Sequence, residues 1–260
     1  MITAGIDAGS RALKIVLLDS GTFEIVASGI MDQGIEQDAL ARQLFEKLLK
    51  DSDARRDDVS GVVATGYGRD IISFADTTIT EITCHARGVR MLVPDAMTII
   101  DIGGQDSKLT RLNADGAVRD FVMNDRCAAG TGSFLEVVAS RLAVELQELG
   151  EMVRRSRKRA AISSMCVVFA ETEILGLLAG GTPPDDIVAG VLEAIATRVS
   201  SMAGRNVQPP IIFTGGVALI PGMAAALQSV LGHPVSVAPE PQMTGALGAA
   251  ILASGRKLRG

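Results

Sequence analysis

Two cysteines lie in similar local sequences, and their surroundings indicate metal or redox chemistry. Cys127 precedes a turn of Gly, Ala and Thr, and an apolar periodic run begins at Phe134. Cys166 follows the hydroxyl residues Ser163 and Ser164 and again precedes an apolar run. Both patterns predict a cysteine at the N-terminus of a helix, where unpaired N–H groups and the helix dipole favour a thiolate. Two thiolates are half of a four-thiolate metal site.

Three glycine-containing turns follow apolar strands, and each is suited to a bound anion or nucleoside. Asp7 ends the first predicted strand before a Gly-Ser turn, Asp101 ends another before a Gly-Gly turn, and a third turn begins at Gly215. Backbone N–H groups in such turns approach a phosphate closely, and a carboxylate at a strand end can hold Mg²⁺ through water.

The composition is that of a globular protein without a large basic face. The chain has 260 residues, 47% of them hydrophobic, and a formal charge of -5, which argues against a nucleic-acid-binding protein. The basic run 154–159 is read as a solvated loop or helix end, with docking onto an acidic partner as the alternative. No signal peptide and no membrane-spanning run is evident, and the cysteine count of 3 is odd, so we expect a cytoplasmic protein without structural disulfides.

Hydrophobic periodicity predicts alternating strands and helices around these motifs. Strands are predicted at 2–7, 15–19, 24–29, 59–65, 98–101, 107–112, 211–214 and 235–238, and helices at 37–49, 80–92, 222–231 and 245–252. The C-terminal half up to Pro209 reads as helical. Cys84 lies in one predicted helix beside His85, and packing is the favoured role for this cysteine.

The strand-Asp-Gly hairpin occurs twice, about ninety to a hundred positions apart, which indicates two related halves facing each other across a cleft. The first half is predicted to comprise residues 1–95 with a returning helix in 246–260. The second half, residues 96–245, carries the two cysteines and the third glycine turn.

Taken in order, these motifs resemble those of the actin, Hsp70 and sugar-kinase ATPase superfamily. The matching stretches are 7–10, 101–106, 215–217 and 245–248. Further stretches resemble the activators (component A) of 2-hydroxyacyl-CoA dehydratases, in the BadF/BadG/BcrA/BcrD ATPase family. These are 64–69, 81–86, 124–132, 163–171 and 214–218, and the resemblance spans essentially the whole chain.

The resemblance implies an α/β fold with two ribonuclease-H-like domains of the actin/Hsp70 type around an ATP cleft. It also implies a homodimer with one 4Fe-4S cluster at the subunit interface, held by Cys127 and Cys166 of each chain. Two thiolates per chain, doubled by a two-fold axis, give the four that such a cluster needs. ATP or ADP and Mg²⁺ are the other expected cofactors.

The resemblance also assigns nucleotide-binding residues. Asp7 and Asp101 are expected to bind Mg²⁺ through water, and either Gln105 or its neighbour Asp106 orients the attacking water. Arg11 stands where a small residue is expected. The residues expected around the phosphates and the nucleoside are Ser10, Arg11, Ala12, Leu13, Lys14, Gly103, Gly104, Gln105, Gly215, Gly216 and Val217.

The implied activity is electron transfer driven by ATP. A reduced ferredoxin or flavodoxin supplies one electron, ATP hydrolysis rotates the domains, and the electron passes to a 2-hydroxyacyl-CoA dehydratase. A benzoyl-CoA-reductase-like or double-cubane-cluster enzyme is an alternative acceptor. A small-molecule kinase, or a regulatory ATP-binding protein without a cluster, would explain the nucleotide motifs and leave the two cysteines unexplained.

Overall fold

The structure is a computed structural model that describes residues 1–163, 166–204 and 207–255. The chain forms two compact units. The first contains Met1–Ala96, Leu112–Arg119 and the chain from Ala238 onward, and the second contains Met97–Arg111 and Asp120–Val237. Ser164, one of the two hydroxyl residues noted before Cys166, and positions 256–260 of the predicted returning segment lie outside the described residues.

The first unit is built on a mixed five-stranded sheet with the order β3-β2-β1-β4-β5. Its strands are β1 (Ile2–Ala8), β2 (Ala12–Asp19), β3 (Ile25–Asp32), β4 (Val59–Thr65) and β5 (Thr77–Thr78). The central strand β1 runs antiparallel to β2 and parallel to β4. It is buried along almost its whole length, as expected for a strand covered on both faces.

The second unit contains another five-stranded sheet, with the order β10-β9-β6-β7-β8. Its strands are β6 (Thr98–Ile102), β7 (Ser107–Leu112), β8 (Val118–Asn124), β9 (Ile211–Thr214) and β10 (Val235–Val237). Strand β6 pairs antiparallel with β7 and parallel with β9. The two sheets therefore share one arrangement around the central strand, in agreement with the repeated hairpin motif.

Helices cover both sheets. They are α1 (Gln37–Asp51), α2 (Glu81–Leu92), α3 (Gly132–Leu142), α4 (Leu149–Arg155), α5 (Val167–Ala179), α6 (Pro184–Ala203), α7 (Met223–Leu231) and α8 (Thr244–Ala253). None of the helices in the described part of the chain has the length and apolarity needed to cross a membrane. Most predicted elements are confirmed within a few residues. The edge strand β8, whose side chains are largely exposed, was not predicted as a strand.

The basic run 154–159 pairs with acidic residues of α6. Arg155 contacts Asp185 over 3.2 Å, and Arg159 contacts Glu193 over 2.8 Å. The Asp186 carboxylate accepts the backbone N–H groups of Lys158 and Arg157, and these two hydrogen bonds lower the pKa of Asp186. These ion pairs and hydrogen bonds anchor the basic run within the second unit, which agrees with its interpretation as a helix end and loop.

Helix α8 packs unusually close to α2 because both helices carry glycine at their contact. A Cβ atom on Gly248 would lie 1.7 Å from the backbone oxygen of Cys84, and one on Gly88 would lie 2.0 Å from the backbone oxygen of Thr244. Backbone atoms cannot move aside as a flexible side chain can. The pattern of small residues in α8 is therefore needed for the helix to lie against α2.

We predict that Gly248→Ala lowers the free energy of unfolding by about 2 kcal/mol or more, because the new methyl group forces α2 and α8 apart. Urea unfolding measures this change. Gly176→Ala in α5 is the control, since a Cβ there has no atom within 4 Å and the substitution should stabilise the helix by roughly 0.5–1 kcal/mol. Equal stability of Gly248→Ala and wild type would show that the close contact is unnecessary.

Candidate functional site

The first hairpin places a lysine directly opposite Asp7. Asp7 on β1 and Lys14 on β2 are cross-strand partners, and Lys14 Nζ lies 3.3 Å from Asp7 Oδ2. The Gly9 N–H donates to the Ala12 carbonyl over 3.2 Å, which closes the turn around Ser10. The pair is largely buried, so the turn presents its backbone beside a fixed cation.

The other residues predicted in this hairpin differ in exposure. Arg11 is exposed at the tip of the turn, whereas Leu13 is fully buried and belongs to the hydrophobic core of the first unit. Ala12 is buried as well. A phosphate at this turn would therefore meet the backbone of Ala12 and Leu13 and not their side chains.

The second hairpin repeats the arrangement. Asp101 on β6 faces Lys108 on β7, and Lys108 Nζ lies 3.5 Å from Asp101 Oδ2 and 2.7 Å from Asp106 Oδ2. The Thr214 hydroxyl donates to Asp101 Oδ1 over 3.2 Å. The lysine side chain is only 4% exposed, so it is a buried cation held between two carboxylates.

Lys108 was not predicted as a functional residue. Its spacing from the preceding aspartate could have indicated it, because Lys108 follows Asp101 at the same distance in sequence as Lys14 follows Asp7. In an antiparallel hairpin with equal turn length, that spacing places the lysine opposite the aspartate in both units.

The two residues predicted to orient the attacking water, Gln105 and Asp106, differ in their surroundings. Gln105 is exposed at the tip of the second hairpin. Asp106 is half-buried, and its carboxylate is occupied by Lys108. Of the two side chains, that of Gln105 is the one directed to solvent.

The third glycine turn lies against Asp101. Gly215 has a φ of +87°, and a Cβ on this residue would lie 2.4 Å from the Ile102 carbonyl oxygen and 2.6 Å from Asp101 Oδ1. Only glycine suits this position. A 3₁₀ turn follows at Gly216–Leu219, in which Val217 is buried. The second unit thus brings together two of the three predicted glycine turns.

The loop between β6 and β7 is also joined to the start of α3. The Gly132 N–H donates to the Gly103 carbonyl over 2.9 Å. The backbone N–H and the hydroxyl of Ser133 both donate to the Gly104 carbonyl, over 2.8 and 2.6 Å. Ser133 was not predicted as a functional residue, since only the folded loop reveals its partner.

The prediction that Cys127 starts an α-helix was wrong. Cys127 precedes a short 3₁₀ turn, Ala128–Gly130, and α3 begins only at Gly132. The Gly, Ala and Thr residues of this segment form the turn, with the Thr131 hydroxyl donating to the Ala128 carbonyl over 2.9 Å. A full helix dipole therefore does not begin at the Cys127 sulfur.

Other residues hold Cys127 instead. Asn124 Nδ2 donates to the Cys127 carbonyl over 2.8 Å, and the Cys127 N–H donates to Asn124 Oδ1 over 3.2 Å. Arg198 on α6 donates from Nη2 to Cys127 Sγ over 2.8 Å. A guanidinium thus supplies positive charge at this sulfur, although it is far from Cys127 in sequence and no local pattern indicated it.

Cys166 agrees with its prediction, because it is the residue that precedes the first turn of α5. It is exposed, and so is an apolar face of the helix that follows. Val168 and Phe169 are each 68% exposed and Leu175 is 47% exposed. Exposed apolar side chains grouped on one helix face form a candidate surface for contact with another molecule.

The segment that follows Cys127 and the segment that precedes Cys166 border one cavity. It has a volume of about 410 Å³ and includes Ala129, Ser163 and Arg198 in its wall. An ion pair between Arg141 on α3 and Glu171 on α5 joins the helices that follow the cysteines. Within the described residues, no three His, Cys, Asp or Glu side chains group closely enough to hold a metal ion.

Comparison with known proteins identifies the family. Residues 4–253 match the BadF/BadG/BcrA/BcrD ATPase family. The chain belongs to this family. An activator of lactoyl-CoA dehydratase from Anaerotignum propionicum is 46% identical over 254 residues, which cover 97% of this chain and 97% of that protein.

Solved structures agree with this family. The activator of the 2-hydroxyisocaproyl-CoA dehydratase from Clostridium difficile with bound ADPNP has a TM-score of 0.92 and 43% identity, covering 98% of this chain and 95% of that one. The (R)-2-hydroxyglutaryl-CoA dehydratase component A of Acidaminococcus fermentans has a TM-score of 0.93 and 41% identity, covering 98% of each chain. This chain is an ATPase, and its two mixed sheets match the actin/Hsp70-like fold.

The third cysteine of the ATPase has a different environment. Cys84 is fully buried where α2 meets α8, and burial raises the pKa of its thiol to about 12. Its neighbour His85 is also buried, and its Nδ1 lies 2.9 Å from the Thr244 hydroxyl. Both residues lie inside the first unit, which agrees with a packing role for Cys84.

We predict that an alkylating reagent at pH 8 modifies Cys166 in the folded ATPase that carries no cluster and leaves Cys84 unmodified. With a pKa near 12, only about one Cys84 thiol in ten thousand is ionised at that pH, and the reagent cannot reach it. Peptide mapping by mass spectrometry measures the rate of modification of each cysteine, and unfolding in guanidinium should make the two rates equal. Equal rates in the native state would contradict the assigned burial.

We predict that Lys108→Met lowers the free energy of unfolding of the ATPase by about 3 kcal/mol, because two carboxylates lose the cation between them. Lys108→Arg should recover part of the loss. Lys47→Met, on the exposed side of α1, is the control and should change stability by less than about 0.5 kcal/mol. Urea unfolding compares the variants, and similar values for both methionine variants would rule out a stabilising role for the buried lysine.

Proposed function

We propose that this ATPase is a reductive activator, which couples ATP hydrolysis to one-electron transfer onto a 2-hydroxyacyl-CoA dehydratase. The observation that carries the proposal is the placement of Cys127. This thiol lies a few residues before the helix whose first turn is hydrogen-bonded to the Gly103-Gly104 loop. A kinase or a regulatory nucleotide-binding protein has no need of a thiol at that position.

The proposed nucleotide site uses the features common to both hairpins. Asp7 and Asp101 bind Mg²⁺ through water, and the turns at Ser10 and Gly103 present N–H groups to the phosphates. Lys14 and Lys108 offset the negative charge at each hairpin. Gly215, Gly216 and Val217 line the nucleoside, and Gln105 orients the attacking water. Each assignment follows from the family resemblance together with the exposure and partners of the side chains.

The proposed cluster site uses Cys127 and Cys166 from each chain of a homodimer. Their donor chemistry fits the group, because thiolates are the ligands of 4Fe-4S clusters, and in the second unit Cys166 is exposed and Cys127 half-buried. The exposed apolar face of α5 beside Cys166 supplies a surface for the second copy. When bound, the cluster supplies the transferred electron.

Coupling between the two sites is proposed to run through the start of α3. The carbonyls of Gly103 and Gly104 belong to the loop that contacts phosphate, and they also accept hydrogen bonds from Gly132 and Ser133. A change in this loop on hydrolysis would move the start of α3 and the turn before it, which carries Cys127. A ferredoxin or flavodoxin is the proposed donor.

The test is the iron and acid-labile sulfide content of protein purified without oxygen, together with its mass in solution. About two irons per chain in a dimer are expected, since four thiolates hold one 4Fe-4S cluster. Cys127→Ser and Cys166→Ser should each lose iron and still bind ATP. Cys84→Ala is the matched control and should keep its iron.

Two results would contradict the proposal. Iron-free wild-type protein that hydrolyses ATP would favour the kinase or regulatory function. If both serine variants retained iron, Cys127 and Cys166 would not be the cluster ligands. Electron transfer to a purified dehydratase is then measured with ATP and with a non-hydrolysable analogue. Transfer with ATP alone distinguishes an activator from a cluster protein of another kind.

A further inference from the structure

A positively charged side chain reaches the Cys127 sulfur from a distant part of the second unit. Arg198 lies in the last turns of α6 and is half-buried. Its Nη2 donates a hydrogen bond to Cys127 Sγ over 2.8 Å, so the guanidinium is in direct contact with the sulfur. The contact is therefore a specific one and not a general electrostatic effect.

The surrounding residues fix both members of this contact. A Cβ on Gly130 would lie 3.2 Å from Arg198 Cγ, so the arginine stem lies against the turn that follows Cys127. On the other side, Asn124 bonds both the carbonyl and the N–H of Cys127. The guanidinium and the sulfur are held in place by backbone contacts and not by each other alone.

We propose that Arg198 is a positioning residue for the cluster, which holds the Cys127 sulfur and raises the reduction potential of the bound group. The inference rests on the proposed function, since it requires Cys127 to be a ligand. A reduced cluster carries one more negative charge than an oxidised one, and hydrogen bonds to ligand sulfurs and nearby positive charge favour the reduced state.

Arginine suits this role better than the other cationic residues. Its guanidinium stays protonated at all physiological pH values, and its planar group directs several N–H donors in fixed directions. Cys166 has the start of α5 beside it, whereas Cys127 has only a short 3₁₀ turn. Arg198 therefore supplies at Cys127 the positive potential that a helix terminus supplies at Cys166.

A purely structural role for Arg198 makes a different prediction. The stem packs on Gly130 and lines the cavity beside Ala129, and a methionine of similar length would preserve that packing. Arg198→Met removes the charge and the hydrogen bond, and Arg198→Lys keeps the charge but loses the planar group. Comparing the two separates packing from the action on the sulfur.

The experiment measures iron content and the reduction potential of the dimer, by redox titration followed by electron paramagnetic resonance. Arg198→Met should make reduction about tenfold less favourable, a shift of about 59 mV to lower potential for one electron. Arg198→Lys should shift it in the same direction by less. The control variant Arg159→Met removes a positive charge that pairs with Glu193 on α6, the helix that also carries Arg198. This variant should leave the reduction potential unchanged.

Each outcome decides the proposal. Iron kept in Arg198→Met at a potential lowered by about 59 mV, with a smaller shift in Arg198→Lys, supports it. Iron lost from Arg198→Met and kept in Arg198→Lys also supports it, as does iron lost from both while Arg159→Met stays loaded. A wild-type potential in Arg198→Met overturns it and leaves the proposed function intact. Iron-free wild-type protein overturns the proposed function and this inference together.

Discussion

The hydrogen bonds between the Gly103-Gly104 loop and the start of α3 are the contact on which the second unit depends. The first N–H groups of a helix have no partner within the helix, and here loop carbonyls accept two of them. A Cβ on Gly132 would lie 3.1 Å from the Gly103 carbonyl oxygen and 3.3 Å from Val217. The Gly103-Gly104 loop, the start of α3 and the third glycine turn therefore meet at one position, and none of them can shift without the others.

The two cysteines lie in unlike environments although their sequences look alike. Cys166 begins a helix and is exposed, whereas Cys127 begins a 3₁₀ turn and is held by Asn124 and Arg198. A helix terminus gives a potential spread over several N–H groups, while a guanidinium gives a directed hydrogen bond. In the proposed cluster, the two cysteine ligands of each chain therefore differ in the positive charge around their sulfurs. The two-fold axis repeats this difference in the second chain.

Much of the fold and half of the site follow from local sequence. Strand ends at Asp7 and Asp101 were predicted because apolar runs and glycine turns are short-range signals. The start of α3 was misplaced because a Gly, Ala and Thr segment suits a 3₁₀ turn as well as a helix start. Arg198 could not be predicted at all, since its contact with Cys127 depends on how α6 packs. Lys108 could have been found from the internal repeat, which encodes the register of both hairpins.

The exposed face of α5 has a consequence for mixtures of subunits. In the proposed dimer the same face of both chains meets across the two-fold axis, and this face is present whether or not a chain carries an intact Cys166. A chain with a defective cysteine and a normal α5 face would still recruit normal chains. With equal expression and random pairing, only about a quarter of the dimers would contain two intact chains. Loss of one ligand would then act as a dominant trait in a cell that also makes the normal protein.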